Sequence, residues 1–308
     1  MSSPSSRLEA LGRAGRFCVT SEVVPPRSAD PASVERQALE LVGYADAANV
    51  TDNPIASAHM SALAGIALTA RAGLEPTLQV TVRDRNRLAI ASDLLGAWAL
   101  GARNVLCLTG DPLSIGDEPG AVTVNDLDLL ELVRLASGLR EHGRLPSGAE
   151  ISSPPRYFVG VADSPLVERY DPVRLEVKLD AGAGLVMTQI AYDVGSLAGW
   201  ADVVRGRGVF ERATVIVGVA PLRSARQARY MNEHIPGVTV PEALVRELED
   251  AGPDAEAVGV ARCVETVTAL QALPGIGGVH VVGLGHEDVV RHVIEGAGLL
   301  PRMPAASG

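Results

Sequence analysis

Lysine is almost missing from this 308-residue chain: Lys178 is the single one among 27 strongly basic side chains, and the others are arginine. Against those 27 stand 37 acidic residues, giving a formal net charge of -10 that repels a nucleic-acid backbone or an anionic membrane on average. Any anionic ligand therefore needs a local basic cluster. Cysteine is also scarce. Cys18, Cys107 and Cys263 are far apart and set in apolar surroundings, a pattern of small buried fillers that excludes a disulfide frame and a metal knuckle. The six histidines, His59, His142, His234, His280, His286 and His292, show no H-x-x-x-H or related spacing, so no metal site is expected. No G-x-S-x-G, no Walker-type phosphate loop and no strand-linked G-x-G-x-x-G occurs. The GIGGV run from Gly275 leads into a strand instead of following one, which removes the dinucleotide-fold reading. Met1 to Gly15 lacks an apolar core of the secretory kind, and no later run approaches the roughly 20 apolar residues of a membrane span. The expectation is a soluble cytoplasmic protein with neither a membrane nor a nucleic-acid partner.

What the chain does have is apolar substance, 47% hydrophobic residues against 21% charged, enough for one large core or two ordinary ones. Eight short apolar runs recur: FCVTSE from Phe17, ADAANV from Ala45, TLQVTV from Thr77, NVLCL from Asn104, YFVGV from Tyr157, GLVMTQI from Gly184, TVIVGV from Thr214 and GVHVV from Gly278. They are continuous rather than alternating, as parallel strands buried on both faces are. Amphipathic stretches near 31–43, 55–72, 85–101, 125–142, 171–182, 194–206 and 223–233 separate them, with further helix at 241–250, 254–272 and 286–298. Asp30-Pro31 and Asn53-Pro54 each place a capping side chain before a proline at a first helical position. Eight strand–helix units predict an α/β protein of the (β/α)8, or TIM, barrel class with extra helices near the C-terminus, and a doubly wound open sheet is the alternative. Residues 17–300 form the single barrel, 1–16 a flexible N-terminal segment and 301–308 a C-terminal tail.

In a (β/α)8 barrel the active site lies at the C-terminal ends of the strands, so polar residues there are the candidates. Glu22 ends the first strand and is braced by Pro25 and Pro26; it suits a general acid, with a salt-bridged strand end as the plain alternative. Asn49 and Thr51 end the second, Gln79 the third, and Gln189 the sixth. Asp111 follows the fourth across a Thr109-Gly110 turn that lets backbone approach a flat ligand, and its carboxylate either steadies positive charge on a substrate or caps the next turn. Gln189 offers a donor and an acceptor edge to a heterocycle. Lys178 stands late in a helix, neutralising its C-terminus or reaching toward a phosphate or ring oxygen. Arg27, Arg83, Arg223 and Arg226 are candidates for an anionic tail, each also readable as a solvated surface charge.

Seven segments taken together resemble one family. SEVVPPR from Ser21, ANVTDNP from Ala48, LQVTVRDRNR from Leu78, VLCLTGD from Val105, KLDAGA from Lys178, TQIAYD from Thr188 and GVAPLRSAR from Gly218 stand in the order and approximate spacing of the methylenetetrahydrofolate reductases, especially their short bacterial, acetogen-type branch. The resemblance implies reduction of 5,10-methylenetetrahydrofolate to 5-methyltetrahydrofolate with NAD(P)H through a flavin, with FAD favoured over FMN. It implies that Glu22 helps protonate N10 so that the ring opens to a 5-iminium cation, that Asp111 stabilises that cation, and that Gln189 and Asn49 bind the pterin. Thr51, Gln79, Thr109, Gly110, Gly160, Asp171 and Lys178 match flavin-contacting positions. Gln79 stands where better-known members carry His, Thr109 also departs from them, and GVADSP from Gly160 replaces a longer loop bearing Tyr and His. Direct reduction by NAD(P)H without flavin is therefore an alternative. So is a folate-binding methyltransferase or demethylation partner without redox chemistry. A homo-oligomer or a partner reductase subunit is compatible with either.

Overall fold

The computed structural model describes residues 3–302. Helix α1 (Arg7–Arg13) precedes eight strands: β1 (Cys18–Val23), β2 (Ala47–Val50), β3 (Pro76–Thr81), β4 (Asn104–Leu108), β5 (Phe158–Asp163), β6 (Leu185–Ile190), β7 (Thr214–Val219) and β8 (Ile276–Val281). Every neighbouring pair is parallel, and β8 pairs with β1, so the sheet closes in sequence order. The connections are helical: α2 (Pro31–Leu41), α3 (Ala62–Arg71), α4 (Arg87–Ala99), α5 (Leu129–His142), α6 (Pro172–Asp180), α7 (Val194–Arg205) and the short α8 (Val209–Arg212) lie before β7. Then α9 (Ala225–His234), α10 (Glu242–Asp250) and α11 (Ala255–Ala272) precede β8, and α12 (Glu287–Gly296) follows it. The (β/α)8 barrel read from the apolar runs is the fold, with its additional helices late in the chain.

Local chemistry explains most boundaries. Asp30 accepts the Ala32 N–H at 3.0 Å with Pro31 in the first turn of α2, and Asp128 with Glu131 forms a reciprocal capping box on α5. The Asn53-Pro54 signal is overturned. Asn53 sits at φ 46 with no capping bond, only a single 3-10 turn (Pro54–Ala56) follows, and α3 begins instead at Ala62, capped by Ser61. Asn53 accepts the His59 N–H at 3.2 Å, folding residues 53–60 over the C-terminal face, and Ile55 and Ala56 are held at φ 50 and 55. Three successive left-handed positions outside glycine, interrupted only by proline, mark strained backbone of the kind that collects at functional sites.

Outward-facing strand residues pack under the helices in one large core. Inside the barrel a second cluster of Cys18, Ala47, Leu106, Phe158, Leu185, Met187 and Ile216 fills the lower half, closed from below by Leu8 and Leu11 of α1. The segment expected to be flexible thus contributes a buried plug: α1 covers an apolar barrel end that water would otherwise meet. Its backbone is tied to Glu75, whose carboxylate accepts the Arg7 and Leu8 N–H groups at 2.7 and 3.2 Å and the Asn104 amide at 2.8 Å. Asp46, fully buried, binds Arg7 at 2.8 Å and Arg302 at 3.1 Å, joining the two chain ends beneath the barrel. Positions 303–308, most of the expected tail, lie outside the described residues.

Candidate active site

Successive residues on a strand alternate between faces, so the apolar inner cluster fixes which side chains enter the barrel above it. Along β1 the inward series is Cys18, Thr20, Glu22; along β2 it is Ala47, Asn49 and then Thr51. Glu22 reaches the mouth with about a quarter of its side chain exposed. Its strand exit is fixed by Gln37 of α2, which bonds both backbone groups of Val24, at 2.8 and 2.9 Å, just before the two prolines.

Beside Glu22 stands a residue that sequence reasoning had set among scattered histidines. His280 on β8 places Nε2 3.7 Å from Glu22 Oε1, and its Nδ1 lies 2.9 Å from Thr20 Oγ1. The imidazole is buried. The only signal in the sequence was its position in an apolar strand, GVHVV, where a polar side chain must face something able to bond it.

The floor of the mouth is polar and incompletely satisfied. Asn49 directs Nδ2 to Met187 Sδ at 3.2 Å, while its Oδ1 and the hydroxyl of Thr51 are buried without a partner among the described residues. The side chain of Gln79, partly buried on β3, makes no hydrogen bond among them. Gln189 is half-engaged: Nε2 donates to the Pro236 carbonyl at 3.1 Å and Oε1 accepts the Ile190 N–H at 2.9 Å, leaving one donor and one lone pair.

Asp111 lies on the same C-terminal face, with β2 and β3 between its strand and that of Glu22. It is exposed. Its carboxylate accepts the Ile55 N–H at 2.8 Å, and its backbone carbonyl accepts from Arg83 at 3.0 Å, so the strained 53–56 segment and the β4 loop hold each other. Gly110 (φ +85) makes the turn possible, because a Cβ there would meet Arg83 and Thr81 at 3.0 and 3.1 Å. Thr109 is exposed beside it.

The remaining flavin candidates are dispersed. Gly160 lies below the mouth, buried between Leu106 and Leu185, where an added Cβ would be 3.3 and 3.1 Å from their methyls. Asp171 uses its carboxylate to cap α6 through the Val173 N–H at 3.0 Å. Lys178 turns inward, donating to the Ala162 carbonyl at 2.6 Å with Asp163 at 3.9 Å, and burial pushes its ammonium below the usual lysine range. Burial likewise raises the Asp163 carboxyl over the opposing pull of Lys178 and Tyr170. The orphaned Thr51 hydroxyl, the Gln79 amide and the open turn at Thr109-Gly110 are the groups this part of the rim leaves available to a planar ring. Asp171 and Lys178 have their charges engaged within the protein. Of the tail candidates, Arg27 pairs with Asp117, Arg83 with Asp84, and Arg223 with Glu256, whereas Arg226 is exposed and has no partner among the described residues.

Fold and site together define a (β/α)8 barrel whose mouth pairs a carboxyl with an imidazole over a floor of neutral amides and hydroxyls. Such a mouth sets ionisable groups beside amide edges. The profile of the methylenetetrahydrofolate reductase family matches residues 7–298, and the chain belongs to that family. It is 28% identical over 242 residues to methylenetetrahydrofolate reductase 1 of Schizosaccharomyces pombe, covering 74% of this chain and 36% of that one. To the probable methylenetetrahydrofolate reductase (NADPH) of Caenorhabditis elegans it is 24% identical over 238 residues, covering 74% and 33%. The chain spans about a third of the length of these curated relatives. Among solved structures, an uncharacterized Clostridium thermocellum protein that binds two copies of 5-methyl-5,6,7,8-tetrahydrofolic acid shares the fold, with a TM-score of 0.62 at 11% identity over 96% of this chain and all of that one. No helix of the described residues is long and apolar enough to cross a membrane.

Proposed function

We propose that this protein reduces 5,10-methylenetetrahydrofolate to 5-methyltetrahydrofolate with electrons from NAD(P)H. The observation that carries the reading is Glu22, placed by β1 at the mouth of a barrel of this family with a titratable partner beside it. Glu22 gives its proton to N10, the C–N bond of the five-membered ring opens, and the cation left on the other nitrogen is met by the rigid carboxylate of Asp111. The amide edges of Asn49 and Gln189 orient the pterin, and the orphaned Asn49 Oδ1 gains a donor when the ring enters.

A flavin, FAD in the family's usual pattern, would be held at its ring by Thr51, Gln79, Thr109 and Gly110, and would relay hydride from nicotinamide to the folate. A second reading has nicotinamide deliver hydride to the folate directly. It is favoured by the internal use of Asp171 and Lys178, which removes two expected contacts to a dinucleotide flavin.

The test is turnover of the purified chain with 5,10-methylenetetrahydrofolate and NADH or NADPH, product identified by mass, alongside a visible spectrum. Glu22→Gln keeps the shape but has no proton to give, and kcat falls by about 10²–10⁴ with folate affinity within a few-fold. A variant with undiminished turnover refutes the acid role, and folate binding without nicotinamide oxidation favours a methyl-carrier barrel. A colourless, active protein selects direct transfer.

A further inference from the structure

Barrel closure brings β8 against β1 and sets His280 beside both Thr20 and Glu22. The Thr20 hydroxyl lies 2.9 Å from Nδ1 and 3.4 Å from the Val279 carbonyl oxygen. A hydroxyl that donates to that carbonyl offers its lone pairs to an Nδ1–H, and Nε2 is the nitrogen turned to Glu22.

We propose that His280 is a positioning residue that loads Glu22 with the proton it delivers, with Thr20 fixing which nitrogen does so. The inference rests on the folate-reduction reading above. In the loaded state the pair carries one transferable proton. As the Glu22 O–H bond breaks and the substrate N–H bond forms, Glu22 becomes a carboxylate. Solvent then protonates Nε2, and closing the 3.7 Å gap to hydrogen-bond distance passes that proton to Glu22, leaving the neutral Nδ1–H tautomer. The other side chains that the strands turn inward at these levels, among them Asn49, Gln79 and Gln189, are uncharged. The loops following β7 and β8 contribute Arg223 and His286, which bond each other while Arg223 also binds Glu256 at 2.6 Å.

His280→Gln keeps a hydrogen-bonding side chain and removes the titration. Its kcat is expected to fall about 10-fold or more at pH 8 with folate Kd within about 2-fold, the deficit narrowing several-fold by pH 5.5 as Glu22 is protonated directly from solvent. Thr20→Val is expected to give a smaller loss, about 3-fold, with the same pH signature. A loss of equal size at every pH, or none, overturns the proposal. An arm that needs no turnover is the NMR titration of His280 in isotopically labelled protein. Replacing the neighbouring carboxylate through Glu22→Gln lowers the His280 midpoint by about 0.5 pH unit or more, and an unmoved midpoint overturns the pairing. A coupled titration in a protein without reductase turnover would leave the pair standing and refute the functional reading instead.

Discussion

Gly218 is the point where packing of the barrel and geometry of the site meet, and Gly218→Ala tests both. On β6 three steps, Met187 to Ile190, match two on β7, Ile216 to Gly218, so β6 bulges where Gln189 sits. The Gly218 N–H donates to the Thr188 hydroxyl at 3.2 Å across that bulge. A Cβ at Gly218 would stand 2.7 Å from the Thr188 carbonyl oxygen and 3.0 Å from both Gln189 C and Ile190 N. All three are backbone atoms, so no rotamer change relieves the clash and β6 itself must move by about 0.7 Å to restore ordinary contact. The upper end of overpacking costs, about 3 kcal/mol, is therefore expected. With an unfolding entropy of roughly 2.1 cal/mol/K per residue, that lowers the Tm of a chain of this size by about 5 °C. The displacement also carries Gln189 away from its bond to the Pro236 carbonyl. If that amide reads the pterin, losing one such contact raises the folate KM by about 10-fold while kcat changes less. Calorimetry and steady-state kinetics on the same preparation decide it. A Tm within about 1 °C of the parent would refute the packing argument. A lowered Tm with unchanged KM would refute the role of Gln189.

Two further predictions concern the surroundings of the site. Burial raises Asp163 and lowers Lys178, so both shifts disfavour charge. The Asp163 contribution to stability is fully present below the unfolded carboxylate value of about 3.9 and is lost as pH rises through the raised folded value; that of Lys178 is present above about 10.4 and lost as pH falls through its lowered one. The pair is therefore costly at neutral pH. Lys178→Met alone is expected to lose about 3 kcal/mol by stranding Asp163, and adding Asp163→Asn to recover it; urea unfolding checks this, and a double variant weaker than the single one contradicts it. The thiols of Cys18, Cys107 and Cys263 are buried and each pushed up to about 12, with desolvation the leading cause. A chromogenic thiol reagent at pH 8 should label none in the native protein and all three after denaturation, and rapid labelling of the native protein would show that a thiol is accessible.

Glu22→Gln and His280→Gln test the two ionisable side chains that meet at the mouth. On the same rim, the strained backbone at Asn53, Ile55 and Ala56 is bonded through the Ile55 N–H to the Asp111 carboxylate.

The chain itself determined the barrel. Strands buried on both faces need no partner information to be recognised, and NVLCL and TVIVGV begin and end in the structure where their apolar runs do. Caps such as Asp30 act over a few residues, so they too are written locally. Glu22, Asn49, Thr51, Gln79 and Gln189 were legible because strand polarity and a period of two assign an end and a face. Tertiary structure alone decided the rest. His280 meets Glu22 only because the eighth strand closes on the first, a contact between chain ends that no local pattern encodes. Asn53 looked like a helix cap until Asp111, from a distant loop, claimed the neighbouring backbone N–H. Gly160, Asp171 and Lys178 carry chemically plausible identities, but depth within the barrel and competition from nearby backbone groups determine what each is free to touch.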